Sequence, residues 1–164
     1  MRLLRSVMAV WAAAAALSSC AAPAASPAAA QTANAGRDIT HIVLERDCFG
    51  CATGSVLELQ RDGTAQLTVT GKARHRTQDR VSRGVVTSAD FDAIARLAVA
   101  QGFFAWQDEY ADATLQDGAW TTLRITRADQ AKQVFSREGA GPQGLKDLQA
   151  AVLALQARIR FQPD

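Results

Sequence analysis

The sequence is poor in the side chains that most metal and acid-base chemistry needs. It holds two histidines, His41 and His75, and three cysteines, Cys20, Cys48 and Cys51. A structural zinc site takes about four N or S ligands. Beyond the Cys48/Cys51 pair only the two histidines and scattered carboxylates are on offer. No Gly-x-Ser-x-Gly, His-Glu-x-x-His or phosphate-cradling glycine loop occurs, so no catalytic residue is assigned, no cofactor is expected, and an enzyme is disfavoured. An excess of one charge sign is missing as well. Lys and Arg total 18 against 16 Asp and Glu, and Arg2 and Arg5 precede Cys20, so from Cys20 onward the signs balance. That removes the main support for general attraction to nucleic acid. No internal repeat and no second linker is found.

Long apolar runs are absent too, and the longest one is informative. Val7 to Leu17 carries no charge, follows the basic Arg2 and Arg5, and ends in small residues. This is the pattern of a bacterial export signal. It falls short of the ~20 residues that a spanning helix needs. Leu17-Ser18-Ser19-Cys20 reads as a lipobox, which makes residues 1–19 a lipoprotein signal peptide and Cys20 the lipidated first residue of the mature chain. Several acyl chains on one residue, at about 0.8 kcal/mol per buried methylene, give a stable membrane anchor where one chain would be marginal. The competing reading is an ordinary signal cut at an alanine after Cys20. By resemblance to enteric lipoprotein sorting, Ala21 in place of aspartate favours the outer membrane, with the rest of the chain in the periplasm.

From Ala21 to Gly36 there are nine alanines, Pro23, Pro27 and a few small polar residues. Nothing there can build a core, so residues 20–36 read as the lipidated cysteine and a disordered tether with a reach of roughly 25 Å. Residues 37–164 are a normal length for one domain.

Within that domain the hydrophobic period switches between two and 3.6. Ile39 to Arg46 reads as a strand, with Ile42 and Leu44 on one face and His41, Val43 and Glu45 on the other. Gly54–Gln60 and Ala65–Thr70 alternate around Arg61-Asp62-Gly63, a hairpin whose Asp-Gly pair supplies positive φ. Arg80–Val86 reads as a further strand. Thr87-Ser88-Ala89-Asp90 caps a helix with Phe91, Ile94, Leu97 and Ala98 on one stripe, ended by Gln101-Gly102. Trp120–Thr126 and Lys132–Ser136 form a second hairpin around residues 127–130. Gly141-Pro142 opens a last helix with Leu145, Leu148, Val152, Leu155 and Ile159 on one face. The expected class is α+β: an antiparallel sheet built from two groups of strands, with two amphipathic helices packed on one face.

An apolar strand, Cys48-Phe49-Gly50 with Cys51 close by, then strand, Asp-Gly turn and strand, resembles the bacterial envelope family called domain of unknown function 6438. The likeness extends through the Phe91 helix, the Asp117–Ile125 stretch and the closing helix after Pro142, and so covers roughly residues 39–160. Family members often show Cys-x-Gly-x-Cys-Pro and an aromatic; here the spacing is one shorter and Ala52-Thr53-Gly54 follow. The resemblance implies an envelope lipoprotein and no particular activity.

Three groups of residues invite a functional reading. Cys48 and Cys51 would meet an oxidising compartment, where a structural disulfide is the expected outcome. A redox pair, a metal site and free thiols compete with it, and a small envelope redox or metal-handling protein is the alternative function they would support. A thioredoxin-like pair needs a helix after the second cysteine, but a strand pattern follows; a c-type haem site needs His where Ala52 stands. Lys72, Arg74, His75, Arg76, Arg80 and Arg83 form a basic stretch that fits an envelope protein or an anionic envelope component, unless it is simply a solvated loop. Phe103, Phe104, Trp106 and Tyr110 lie among acids that do not match a calcium loop, so packing under the connection is their expected role. The favoured function is a membrane-anchored, non-catalytic binding domain. Limited proteolysis of the mature protein is expected to cut first between Ala21 and Gly36 and to leave a compact core; early cuts within 54–70 would contradict that boundary.

Overall fold

The computed structural model describes residues 35–164 apart from 113, 115, 116 and 129. The signal peptide, Cys20 and nearly all of the tether therefore lie outside the described residues. Strand β1, Ile39–Cys48, is the centre of the sheet. It pairs antiparallel on one side with β2, Thr53–Gln60, and on the other with β6, Ala119–Arg127. Strands β3, Thr64–Gly71, and β4, Arg80–Val85, continue outward from β2 as antiparallel neighbours. Beyond β6 lies β7, Gln130–Arg137. Both edges end in two-residue strands: β5, Glu109–Tyr110, runs parallel to β7, and β8, Gln162–Pro163, runs antiparallel to β4. The eight-stranded sheet is thus mixed, where the hydrophobic pattern had pointed to a wholly antiparallel one. Strands of two residues are too short to show a period.

The registers align apolar residues into two rows on one face. Ile125, Ile42, Leu59 and Ala65 form one row; Val134, Leu123, Leu44, Leu57 and Leu67 form the other. All but half-buried Leu67 are buried. Ile39 departs from simple alternation, since a residue three before Ile42 should face the other way. A β-bulge against β6 between Ile39 and His41 gives β1 an extra residue at Thr40 and turns Ile39 back into the core, fully buried.

Helix α1, Ser88–Ala100, starts at Thr87, whose hydroxyl accepts from the Asp90 amide at 3.1 Å. It buries Phe91, Ile94, Ala95 and Ala98. Helix α2, Gln143–Gln156, starts at Pro142 and buries Leu145, Leu148, Val152 and Leu155. These residues and the two sheet rows belong to one buried cluster. Ile159 falls after the helix end and packs above Gly84, where a Cβ would sit 2.6 Å from its methyl. No helix among the described residues is long and apolar enough to cross a membrane. The second hairpin turns more tightly than its sequence suggests. Arg127 pairs with Gln130, and Ala128 between them takes φ 51°, a conformation that costs a non-glycine residue about 1 kcal/mol. Its amide is held by the Asp38 carbonyl at 2.8 Å.

The hairpin residue Arg61 locks one end of the sheet. Its guanidinium donates to the carbonyls of Ile39 at 2.5 Å and Gly36 at 2.7 Å and to Asp92 at 2.6 Å, and lies 4.9 Å above the Phe91 ring. Gly36, the last residue of the expected tether, is itself buried against Ala95. One side chain thereby joins the entry of the chain, β1 and α1. Arg61→Ala should cost about 2 kcal/mol, the scale of hydrogen bonds from a charged donor. Arg61→Lys should recover little, because an ammonium lacks the planar fork. Urea midpoints of the two variants within error of the parent would contradict this role.

Candidate functional site

At the other end of the sheet two loops meet. The first joins β1 to β2 across residues 49–52 and is closed by a disulfide between Cys48 and Cys51, whose Cα atoms are 5.3 Å apart. Cys51 is followed within two residues by β2, so neither sulfur stands at a helix N-terminus, the setting that lowers a thiol pKa in thioredoxin-like pairs. The two cysteines are bonded to each other, as the disulfide expectation has it. Phe49, between the cysteines, is 58% exposed.

The second loop, from Lys72 to Asp79, leaves β3 and folds back on itself through a short 3-10 turn at Ala73–His75, with Arg76 left-handed at φ 53°. Lys72 N donates to Thr77 Oγ1 at 2.8 Å, and Gly71 N donates to Asp79 Oδ1 at 2.7 Å. A side chain at Gly71 would collide with the Thr77 carbonyl, so the reversal needs glycine there.

The loops are tied to each other at three places. Lys72 Nζ pairs with Asp47 Oδ1 and donates to the Cys48 carbonyl at 2.8 Å, while the same carboxylate oxygen accepts from Cys48 N at 2.6 Å. Thr77 Oγ1 donates to the Ala52 carbonyl at 2.7 Å. The Arg74 guanidinium lies 5.1 Å from the centre of the Phe49 ring. The Lys72–Asp47 pair spans from β3 to β1 across β2 at Gly54, where a Cβ would stand 2.6 Å from Thr70 Oγ1 and 2.9 Å from Asp47 Cγ. A glycine inside a strand marks such a close approach.

The basic residues singled out in the sequence fall in different places. Arg74, Arg76 and Arg80 are exposed, and Arg76 and Arg80 line a cleft of about 470 Å³ with Thr53 and Asp79. Lys72 is not available to a partner, because it is mostly buried and held by Asp47. Arg83 lies apart: its Nε is 3.0 Å from the Asp164 carboxylate, and it lines a different cleft of about 570 Å³ with Val85 and Arg158. That larger cleft is bridged by its own ion pairs, since Arg158 bonds Asp90 at 2.7 Å.

The remaining sequence candidates lie apart from these loops or make no side-chain contact in them. Phe103 is fully buried and meets Phe104 and Trp106 edge-on at 5.4 and 5.6 Å. Tyr110 packs against the core and accepts from the Gln107 amide at 3.1 Å. His41 Nε2 is 3.4 Å from Glu58 Oε2 without hydrogen-bond geometry, and His75 is exposed on the basic loop. Among the described residues no group of three or more His, Cys, Asp or Glu side chains is placed to hold a metal. The carboxyls held below their ordinary range are at turns and caps. Arg127 bonds Asp38, the Thr64 amide bonds Asp62, Thr87 and then Arg158 bond Asp90, and Thr114 bonds Asp112.

Sequence reasoning treated the cysteine pair and the basic stretch separately and missed Asp47, Thr77 and the Phe49–Arg74 contact. The glycines at 54 and 71 were the available signal. No protein-family model matches the chain, and no curated protein matches it.

The division between holding and presenting residues is measurable. Lys72→Ala leaves Asp47 mostly buried and unpaired and should cost roughly 1–3 kcal/mol, below the 3–5 kcal/mol of a fully buried pair. Arg74→Gln and Arg80→Gln should each cost under about 0.5 kcal/mol. Amide exchange within 73–77 should quicken in the Lys72 variant only; equal effects from all three would contradict the assignment.

Proposed function

We propose that this chain is a lipid-anchored cell-envelope protein with a non-catalytic binding domain, related to the domain of unknown function 6438 family, and that Arg74, Arg76 and Arg80 form its contact for an anionic partner. The carrying observation is the exposure of these three arginines on one short segment, Arg74 over the Phe49 ring and Arg76 and Arg80 lining a cleft with Thr53, with no carboxylate paired to Arg76 or Arg80 among the described residues. The domain from Cys20 onward is formally neutral, so attraction must come from a local patch. The lipobox at Leu17-Ser18-Ser19-Cys20 and the small-residue tether support anchoring through Cys20, in the outer membrane with the domain in the periplasm. A disulfide between Cys48 and Cys51 accords with an oxidising compartment. In this reading both helices cover the same sheet face, since their buried residues join the same cluster as the two apolar rows.

Cell fractionation of Cys20→Ala tests the anchoring. The parent should sediment with membranes and incorporate labelled palmitate, whereas the variant should lose the label and become soluble once its signal is removed. Continued sedimentation of the processed variant would overturn the reading.

A further inference from the structure

The disulfide loop carries an aromatic ring that stays largely exposed. Phe49 is held outward between two bonded cysteines, and Arg74 packs on its ring. We infer that Phe49, Arg74, Arg76 and Arg80 form one docking surface for an acidic protein segment, with the Phe49 ring as its apolar anchor and the arginines paired to carboxylates around it. This rests on the lipid-anchored reading and names the partner class for the same basic surface.

Three observations carry the choice of partner. Aromatic residues and arginine are the types that dominate protein interface energetics, most often as a central anchor ringed by polar groups. The surface is also built before binding. The disulfide, the Lys72–Asp47 pair and the Thr77–Ala52 bond fix both loops, which keeps the ordering cost of association small. The third observation is position. The chain enters the domain at Gly36, beside Ile39, and the docking surface lies past Cys48 at the other end of β1, about 30 Å away at the usual rise per residue. A tether joined at the near end leaves this surface clear of the attachment point. A partner in the surrounding compartment fits that placement better than the anchoring bilayer does. Bilayer binding also draws on several apolar side chains or a longer basic run, and here there is one ring.

The test places a photoreactive amino acid at Gly50 in the full lipid-anchored chain in cells, where an added Cβ meets no atom within 4 Å. A second placed at Gln130, at the Gly36 end of the sheet, serves as control. A protease-sensitive adduct should form from position 50 and not from position 130, and its crosslinked peptide should be rich in Asp and Glu. Combining Arg74→Gln, Arg76→Gln and Arg80→Gln should lower its yield about tenfold, and Phe49→Ala should lower it comparably, as expected of interface anchors. Each variant is checked for an intact Cys48–Cys51 bond and an unchanged urea midpoint. An adduct to lipid, an adduct to glycan released by a muramidase, a yield unchanged in the variants, or no adduct from position 50 would each overturn the proposal. Loss of membrane sedimentation by the parent would instead strike the anchoring reading, so the two failures are distinguishable.

Discussion

The register of β1 is the constraint on which the rest of this fold depends. It has long neighbours on both sides, and its Ile42 and Leu44 each sit opposite apolar residues on β2 and β6 at once. A slip of one residue against either neighbour would send both side chains to the open face and remove their burial, worth about 1.5–3 kcal/mol per side chain. The ends of β1 are pinned separately. Arg61 holds the Ile39 end to the chain entry and to α1, and Asp47, Cys48 and Lys72 hold the other end to β3. Registers of β2, β3, β6 and β7 then follow from pairing outward.

The arginines divide by surroundings. Arg61 bonds backbone carbonyls and a carboxylate and stacks on Phe91. Arg127 joins Asp38 at 2.6 Å and lies 4.8 Å over Phe104, clasping the second hairpin to the start of the domain. Surface pairs of this kind contribute about 0–1 kcal/mol each, so Arg61, with three hydrogen bonds and only partial exposure, matters most. At the disulfide end the same residue type projects from a loop that is already fixed by other contacts. Removing a projecting arginine subtracts charge from the surface without releasing the backbone beneath it.

The small size of the disulfide loop suits that arrangement. Closing so short a segment restrains the unfolded chain by only about 2 kcal/mol in the entropic view, less than a long cross-link would. Its local effect is larger, because it sets the direction of Phe49 and keeps the Cys48 and Ala52 carbonyls where Lys72 and Thr77 reach them. The covalent link and the polar ties therefore act on the same few atoms, and the two loops behave as one body.

The elements legible in the sequence were those set by local chemistry. Alternation located β1 to β4 and the β6–β7 hairpin, Asp62-Gly63 marked a turn with Gly63 at φ 98°, and Thr87 with Asp90 marked the start of α1. Each depends on a period or a cap contained within a few residues. The disulfide was expected from the export signal and the nearness of its two cysteines in sequence. Tertiary structure decided what adjacent residues cannot encode. The pairing of β6 with β1, which merges two groups of strands into one sheet, joins residues about eighty positions apart. The bulge that buries Ile39 exists only against β6, and β5 and β8 are strands only because an edge is there to accept them. The candidate surface belongs to this second kind. Phe49 and Arg74 lie on different loops, and only the β1–β2–β3 register, with glycine at 54 and 71 leaving room for the crossing, brings the ring and the guanidinium together.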